Sequence, residues 1–222
     1  MKNIIIFGGG SSARVIFSEL ITLRKFKILG FIDNYSEKGK VIDTFKGKNF
    51  KNLGKISMIS NINNTVFGII GVGDNYIRQK ISSEVLKYSR NFKWETIISK
   101  TAIINHKVTI GKGSVIMPNV VINTGTNIGS HCLINTSSSI DHDNIFEDFS
   151  STGPGVVTSG NVNLGKYSHI GVGGIVKHGV KIGHNTIIGG NSFVNKLCKN
   201  NCVYFGNPAK KRKGRKIGEK YL

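Results

Sequence analysis

One histidine in this sequence lies between two aspartates. The stretch LINTSSSIDHDNIFED, residues 133–148, holds His142 between Asp141 and Asp143. Unperturbed imidazole titrates near 6.5, and a neighbouring carboxylate fixes its tautomer and raises its basicity. Carboxylates are scarce, because the 222 residues include 31 Lys and Arg but only 12 Asp and Glu, for a formal net charge of +19. We therefore expect His142 to be a general base, with Asp143 or Asp141 enhancing it.

The other histidines and the cysteines offer less chemistry. No other histidine has an acidic neighbour in the sequence, and we expect solvated surface positions for all five: His106, His131, His169, His178 and His184. Cys198 and Cys202 form a lone C-x-x-x-C, and the third cysteine is Cys132. A metal site needs more ligands than this spacing supplies. We expect structural cysteines, no disulfide framework and no metal.

A six-residue repeat positions His142. From Ile98 to Val194, fifteen of the seventeen positions taken in steps of six are bulky and apolar, and the exceptions are Thr152 and Thr158. Four residues after most of them stands a small or β-branched residue. This period predicts a parallel β-helix, rather than a sandwich, in which each unit makes one short strand and one corner and the coils stack about 4.8 Å apart. His142, third in its unit, should lie at a corner and point outward.

A glycine-rich turn follows the first predicted strand. In KNIIIFGGGSSARVIFSEL, Gly8, Gly10 and Ala13 match G-x-G-x-x-A, and Asp33 ends the next predicted strand. Such glycines let the backbone approach phosphates at a helix N-terminus, and the acid meets a ribose. A third strand precedes a turn at Gly71 and Gly73, followed by a helix that should run to about Arg90. Three or four strands favour a nucleotide or nucleotide sugar over NAD; the alternative is that the glycines only make turns.

The candidate substrate-binding residues are taken from these turns. They are Gly8, Gly10, Ser11, Ser12, Asp33, Asn34, Gly73, Asp74 and Asn75.

The repeat [Ile/Val/Leu]-Gly-x-x-[Ser/Thr/Val]-x resembles that of the hexapeptide-repeat acyltransferases. This resemblance implies a left-handed parallel β-helix with 18-residue triangular coils, a homotrimer, and acyl-CoA bound in the clefts between neighbouring helices. The order of the two parts resembles the bacterial nucleotide-sugar N-acetyltransferases of the bacillosamine type and the related sialic-acid O-acetyltransferases. The motifs that carry it are GGGSSA, FIDN, GVGDNYIRQKI, INTSSSIDHD, GNVNLGKYSHIGVGG and GNPAK.

The expected fold is therefore an α/β Rossmann-like domain followed by an all-β left-handed β-helix. We place a nucleotide-sugar-binding domain at residues 1–95 and an acetyltransferase domain, with a basic C-terminal tail, at residues 96–222. By resemblance, His142 matches the catalytic base and Asp143 its acidic partner, while Asn135 and Ser138 match polar groups near the reacting centre. The matching acetyl-CoA positions are Ser151, Gly155, Val172, Gly173, Gly190 and Lys210.

Two positions depart from the family pattern. Ser12 stands in the first glycine turn where the family usually has a histidine, which puts the amino-sugar contact in doubt. Ser151 replaces a histidine that often faces the thioester; its hydroxyl still offers one hydrogen bond. The tail from Lys210 onward suits the phosphates of CoA. The alternatives for it are a flexible solvated tail or weak attachment to an anionic membrane surface.

These features predict an acetyl-CoA-dependent N-acetyltransferase acting on the 4-amino group of a UDP- or dTDP-linked amino-deoxy sugar in glycan biosynthesis. The rival hypotheses are O-acetylation of a sugar or sialic acid, an NAD-dependent enzyme fused to a β-helix, and a non-enzymatic basic scaffold that binds nucleic acid. We expect no nucleic-acid partner. The opening MKNIIIFGGG is a poor secretory signal, and no apolar run approaches 18 residues, so we expect a cytoplasmic protein without a transmembrane helix.

Overall fold

A computed structural model describes residues 1–62, 66–90 and 92–221 and divides the chain into two compact units. Unit 1 comprises Met1–Gly73 and Ile77–Ile97. Unit 2 comprises Asp74–Tyr76 and Ile98–Leu222. Asp74–Tyr76 therefore belongs to unit 2, although it lies between two segments of unit 1 in the sequence.

Unit 1 is built on a four-stranded parallel sheet in the order β2-β1-β5-β6. The strands are β1 Lys2–Phe7, β2 Phe26–Ile32, β5 Val66–Ile70 and β6 Lys93–Trp94, and β3 Val41–Phe45 pairs with β4 Lys48–Lys51 as an antiparallel hairpin. The helices are α1 Ser11–Leu23, α2 Asn75–Tyr88 and a 3-10 turn at Ile56–Asn61. This arrangement confirms the predicted Rossmann-like sheet, and α2 ends two residues before the predicted Arg90.

The glycine turn connects a fully buried strand to an amphipathic helix. Ile4–Phe7 of β1 has no solvent exposure. All four residues are apolar because a strand that is buried on both faces of its sheet cannot place a polar side chain in water. Gly10 keeps an extended conformation at the N-cap of α1, and Arg24 ends the helix in the left-handed conformation. The buried face of α1 consists of Ala13, Ile16, Phe17, Leu20 and Leu23. In the described part of the chain, no helix is long and apolar enough to cross a membrane.

Unit 2 is a left-handed β-helix with three parallel faces, which confirms the predicted fold. The first face contains β7 Ile97–Ile98, β10 Val115–Ile116, β13 Leu133–Ile134, β16 Ser151–Thr152, β19 His169–Ile170, β22 Ile187–Ile188, β24 Cys202–Phe205 and β25 Lys210–Gly214. The second contains β8 Ile103–Ile104, β11 Val121–Ile122, β14 Ser139–Ile140, β17 Val157–Thr158, β20 Ile175–Val176 and β23 Phe193–Val194. The third contains β9 Thr109–Ile110, β12 Asn127–Ile128, β15 Ile145–Phe146, β18 Asn163–Leu164 and β21 Lys181–Ile182.

The bulky repeat residues form the interior column, as predicted. From Ile116 to Val194 every sixth residue is at most 3% exposed, and the column includes the polar pair Thr152 and Thr158. Ile98 is 37% exposed because its coil is the first of unit 2 and has a stacked neighbour on one side only. The small residues four positions on are also buried from Ser114 onward, so they fill the interior beside each corner.

Each corner contains a residue in the left-handed conformation. Ten non-glycine corner residues with φ between 49° and 63° fall in one six-residue register: Lys107, Asn119, His131, Ser137, Asp143, Phe149, Asn161, Tyr167, Asn185 and Asn191. Glycines fill the remaining positions of that register, which are Gly113, Gly125, Gly155, Gly173 and Gly179. Glycine, Asn and Asp adopt this conformation more readily than other residues. We call the three edges of the helix the first–second, second–third and third–first corners, after the faces that they join.

Candidate active site

The His142–Asp143 pair lies on the second–third corner, directly after β14. His142 Nδ1 lies 2.8 Å from Asp143 Oδ2, and the two side chains are 42% and 57% exposed. A carboxylate only accepts hydrogen bonds, so Nδ1 carries the proton of a neutral ring and Nε2 keeps its lone pair. The corner therefore presents an accessible base with a defined tautomer.

Two glycines leave room for the pair in the adjacent coils. A Cβ on Gly160, one coil after His142, would come within 2.5 Å of Cε1 and Nε2 of the imidazole. On the other side, Gly125 gives the Asp143 carboxylate its space, since a Cβ there would overlap Oδ1. The imidazole thus lies over a residue without a side chain, and its ring centroid is 6.2 Å from that of His178 in the coil beyond.

Interior and stacked amides fix the backbone of this corner. Asn144 is fully buried, donates from Nδ2 to the carbonyls of Asp141 (2.6 Å) and Ser159 (3.1 Å), and accepts from the Val162 N–H (3.0 Å). Asp141 accepts from Asn123 Nδ2 (3.1 Å) and from the His142 N–H (2.9 Å). Sequence reasoning missed Asn144; the available signal was that it breaks the pattern of small residues four positions after the repeat isoleucine.

The acidic residues of the coils fall close together in the sequence, and two of them flank this histidine. Between residues 98 and 209 the four carboxylates are Asp141, Asp143, Glu147 and Asp148. The hydrogen bond to Asp143 raises the pKa of His142 above its ordinary value of 6.5; partial desolvation opposes this, and the charges of Asp141 and Asp143 add to it. In an otherwise cationic chain, Asp143 and Asp141 together make His142 a stronger base.

The histidines predicted to be solvated divide into two groups. His106, His178 and His184 are exposed, although His184 pairs across a coil with Glu147 (Nδ1 to Oε2, 3.2 Å), an acidic partner that sequence adjacency did not reveal. The prediction is wrong for His131 and His169, which are buried at 6% and 9% exposure. An aromatic side chain packs against each of these two rings. His131 stacks on Phe149 of the adjacent coil, and His169 contacts Tyr221 of the C-terminal segment.

The predicted acetyl-CoA positions Gly155, Val172, Gly173 and Gly190 lie along the first–second corner. Nothing lies within 4 Å of a Cβ built on Gly155 or Gly173, and Val172 is 60% exposed. The corner therefore forms a strip of accessible backbone over three successive coils. In one chain this strip and the His142 pair are on different corners, so one copy does not bring them together.

Asn135 and Ser138, which the resemblance matched to the reacting centre, both form hydrogen bonds within the protein. Asn135 is on the first–second corner, where its Oδ1 accepts the Thr136 N–H (2.8 Å). Ser138 is completely buried and bonds to Thr152 Oγ1 (3.0 Å) and the Gly153 carbonyl (3.2 Å). Ser138 is therefore bonded within the interior, which does not favour the predicted contact with the reacting centre.

Ser151 and Asn75 form one buried network within unit 2. Ser151 Oγ donates to Asn75 Oδ1 (2.8 Å) and lies 2.8 Å from His169 Nδ1. Asn75 Nδ2 donates to the Ser168 carbonyl (2.9 Å), and the Asn75 N–H donates to Tyr221 Oη (3.1 Å). Both ends of the Asn75 amide are thus bonded within the protein, which does not favour the predicted contact between this side chain and a sugar.

In unit 1, the predicted phosphate turn has the geometry of an anion site. Gly8 has φ of 115°, and a Cβ there would lie 3.0 Å from the Gly71 carbonyl oxygen. Ser11 and Ser12 begin α1, whose first turn has no acidic residue and no side-chain cap. The exposed N–H groups and the positive end of the helix dipole therefore favour a negative ligand.

The predicted ribose acid approaches the same turn. Asp33 Oδ2 would lie 3.1 Å from a Cβ on Gly9, so Gly9, which the G-x-G pattern left out, is the glycine that admits this carboxylate. The other oxygen, Oδ1, accepts the N–H groups of Tyr35 and Ser36 at 2.8 Å each. Asn34 accepts the Ile56 N–H (3.0 Å), which gives its side chain a structural partner.

The remaining predicted turn, after β5, is held by a side chain that the sequence did not single out. Arg78 of α2 is 3% exposed and donates from Nη1 to the carbonyls of Gly73 (2.7 Å) and Val72 (3.2 Å). Asp74 is assigned to unit 2 and is partly exposed. Buried guanidinium groups that cap carbonyls fix a turn, so we read Arg78 as structural.

The basic C-terminal segment is ordered, so the alternative of a flexible tail is wrong. Lys210–Gly214 forms β25, which pairs antiparallel with β24. Lys210, predicted to bind CoA phosphate, is exposed on this strand. Arg215 is buried, donates to the Glu219 carbonyl and lies over the Tyr221 ring, 5.2 Å from its centroid.

The cysteines are buried and free. Burial, with a smaller contribution from Cys202, raises the pKa of Cys198 to about 12, which excludes it as a thiolate nucleophile at neutral pH. Within residues 1–62, 66–90 and 92–221, no group of three or more His, Cys, Asp or Glu side chains is arranged to hold a metal ion.

Comparisons with known proteins agree with the fold of this chain. Residues 3–85 match the model of the PglD N-terminal domain family. A variant of perosamine N-acetyltransferase from Caulobacter crescentus, with one histidine replaced by asparagine and solved with CoA and GDP-perosamine, has 25% identity and a TM-score of 0.86 over 95% of this chain and 97% of that one. PerB from Caulobacter crescentus, also with CoA and GDP-perosamine, has 26% identity and a TM-score of 0.84 over the same shares.

A further likeness extends over the whole of another domain. The acetyltransferase domain of PglB from Neisseria gonorrhoeae has 24% identity and a TM-score of 0.86 over 96% of this chain and 100% of that one. This likeness shows the same fold. The family model and the two Caulobacter structures confirm the resemblance to the hexapeptide-repeat nucleotide-sugar acetyltransferases that the sequence motifs indicated.

Proposed function

We propose that this protein transfers the acetyl group of acetyl-CoA to an amino group of a nucleotide-linked amino sugar, with His142 as the general base. The observation that carries the proposal is the accessible His142–Asp143 pair, whose imidazole has a fixed tautomer and a raised pKa. The neighbours solved with CoA and GDP-perosamine support the same class of enzyme, an acetyltransferase.

The proposed reaction uses His142 Nε2 as the proton acceptor. The sugar amine attacks the thioester carbonyl carbon while Nε2 removes a proton from the attacking nitrogen. The new C–N bond leaves a tetrahedral oxyanion, which collapses with cleavage of the C–S bond. The departing thiolate takes the proton from the imidazolium, so the products are an acetamido sugar and CoA as its thiol. Asp143 keeps the ring in the productive tautomer and stabilises the imidazolium.

Acetyl-CoA would lie along the first–second corner. Gly155, Val172, Gly173 and Gly190 offer the pantetheine arm a strip of exposed backbone, and Lys210 would face a phosphate. Because this strip and His142 are on different corners, we propose that each active site combines His142 of one copy with the strip of a neighbour. A homotrimer with three equivalent sites satisfies this requirement by cyclic symmetry.

The nucleotide would bind unit 1 at the glycine turn. The N-terminus of α1, with Ser11 and Ser12, would hold the phosphates, and Asp33 Oδ2 would meet a ribose hydroxyl. We propose a uridine- or thymidine-linked 4-amino-deoxy sugar. The neighbours were solved with a GDP-linked sugar, so guanine is the first competing base to test.

The test is thiol release from acetyl-CoA in the presence of UDP-, dTDP- and GDP-linked 4-amino sugars. We expect one of them to be acetylated and His142→Ala to lower kcat/KM by about 10²–10⁴-fold. His106→Ala is the matched control, because His106 occupies the same corner position with Thr124 as its partner instead of a carboxylate. If the His142 variant retains the rate of the parent, His142 is not the base.

The same assay separates amide from ester products. An N-acetyl group resists neutral hydroxylamine, whereas an O-acetyl group is removed by it. Mass spectrometry before and after this treatment therefore distinguishes the proposed reaction from O-acetylation of a sugar.

A further inference from the structure

The segment from Lys210 to Tyr221 concentrates positive charge in twelve consecutive residues of unit 2. It contains seven Lys and Arg residues and one carboxylate, Glu219. Glu219 pairs with Lys213, and Arg215 is buried. The cations that remain at the surface are Lys210, Lys211, Arg212, Lys216 and Lys220, and the ion pairs seen among the described residues include none of them. Lys210 is assigned to the proposed CoA phosphate, and we call the other four, together with Lys213, the basic hairpin surface.

The fold holds these cations in fixed positions. All five residues of β25 are exposed, and the strand forms the edge of the first face beside β24. The guanidinium of Arg212 lies over the ring of Phe205, 4.6 Å from its centroid. A rigid array loses less entropy on binding than a flexible tail of the same charge, so the hairpin favours an extended anionic partner.

Exposed apolar side chains flank the cations. Phe205 is 45% exposed and Ile217 is 64% exposed. Side chains of this kind add affinity where a charged layer covers an apolar one, as at the headgroups of a bilayer. Nucleic acid offers phosphates without such a layer, and one face of the Phe205 ring, which a base could stack on, is already covered by Arg212.

We propose that the basic hairpin surface docks the protein onto membranes that contain anionic lipid. Lys211, Arg212, Lys216 and Lys220 lie at the headgroups, and Ile217 inserts at the boundary with the acyl chains. His142 and its two aspartates lie on the second–third corner, whereas the hairpin continues the first face, so docking leaves the catalytic base outside the charged contact. This interaction does not depend on the proposed acetyl transfer.

The test is co-sedimentation of the 222-residue protein with vesicles of phosphatidylcholine alone or with about 30% phosphatidylglycerol. We expect binding to the anionic vesicles only, weakened by 0.5 M NaCl. The combined change Lys211→Gln, Lys216→Gln and Lys220→Gln should lower the partition coefficient by about 100-fold, since each cation near such a surface contributes about fivefold. Ile217→Ser, which keeps the charge, should also weaken binding.

The matched control removes the same charge elsewhere. Lys100, Lys112 and Lys181 are exposed residues of unit 2 outside the hairpin, and their combined change to Gln should leave vesicle binding within about twofold of the parent. Equal losses in both triple variants would show a non-specific charge effect and overturn the proposal.

Three further results would contradict the assignment. Release from the vesicles by saturating CoA would make the surface a phosphate subsite for the acyl donor. Tighter binding to duplex DNA than to anionic vesicles at the same salt concentration would make nucleic acid the partner. Self-association of the first triple variant in solution, with unchanged vesicle binding, would mean that the lysines only protect a sheet edge from pairing. All variants are checked by thermal unfolding.

Discussion

At the scale of single residues, the acid beside His142 sets both the orientation and the basicity of the imidazole. The side chains meet at 2.8 Å on an exposed corner, where isolated ion pairs stabilise little. We therefore expect the His142–Asp143 pair to matter for proton transfer rather than for folding. The pairing of His142 with Asp143 could be predicted from the sequence, because DHD is conspicuous in a chain so poor in carboxylates.

Asp143→Asn should move the acidic limb of the pH profile of kcat/KM to lower pH. The Asp143 carboxylate raises the pKa of His142, so its loss lowers that pKa and the free base persists into more acidic solution. The maximal rate should nevertheless fall about tenfold, because the tautomer is no longer fixed. Asp141→Asn removes the same charge but not the hydrogen bond, and should shift the limb less. Equal shifts in the two variants would contradict the role given to the hydrogen bond.

Gly160→Ala should impair catalysis without unfolding the protein. The new Cβ would come within 2.5 Å of the imidazole, which must swing away, and we expect a loss in kcat of about 10- to 100-fold. In a His142→Ala background the same change should cost little, because no ring remains to be displaced. A similar loss in both backgrounds would assign Gly160 another role. Sequence reasoning did not find Gly160, because its importance comes from contact with a residue 18 positions earlier.

At the scale of the repeated elements, the six-residue period was enough to predict the interior column and the corner position of His142. It could not predict which interior polar groups are satisfied, because their partners come from adjacent coils. Thr152 Oγ1 accepts the Asn135 N–H (2.9 Å) and bonds to Ser138 (3.0 Å), whereas Thr158 Oγ1 is buried without a partner in the part of unit 2 that the structure describes. The sequence shows the two threonines as equivalent exceptions.

These two threonines should respond in opposite directions to valine. Thr158→Val removes an unsatisfied hydroxyl at constant shape and should raise the free energy of unfolding by about 1 kcal/mol. Thr152→Val leaves the Asn135 N–H without its acceptor and should lower the free energy of unfolding by about 1–2 kcal/mol. Denaturant titration of both variants measures the difference. Destabilisation by both changes would mean that Thr158 has a partner, such as an interior water.

The six-residue period could not predict the C-terminal hairpin of β24 and β25. The sequence indicated a basic tail at residues 210–216, with a flexible solvated form as one alternative, because these residues are cationic and lack apolar alternation. They form β25 because β24 continues the first face and leaves an edge for them to pair with. Strand formation here is a tertiary effect, which local sequence patterns cannot show.

At the scale of the whole molecule, the proposed active site should be completed by a second copy. The base is on the second–third corner and the proposed acyl-CoA strip is on the first–second corner, so two defects in different copies can complement each other. Val172→Trp should block the strip, as Val172 is exposed, and His142→Ala removes the base. Each variant alone should be nearly inactive.

Co-expression of these two variants should restore activity. In randomly assembled trimers, about a quarter of the sites pair an intact base with an intact strip. The measurement is specific activity of the mixed, purified oligomer against either variant alone. No recovery from confirmed mixed oligomers would mean that one chain supplies the complete site.

Asp143 occupies its corner with φ of 56°, a conformation that the chain adopts again at every sixth residue. The backbone of each coil is therefore nearly the same as that of the next, and only the side chains distinguish the coil that carries the proposed base. Gly160 and Asn161 lie one coil after the His142–Asp143 pair, on the same corner. In a β-helix of this kind, a few substitutions or the duplication of one coil can therefore move the reactive side chains along the helix axis without changing the backbone of the other coils.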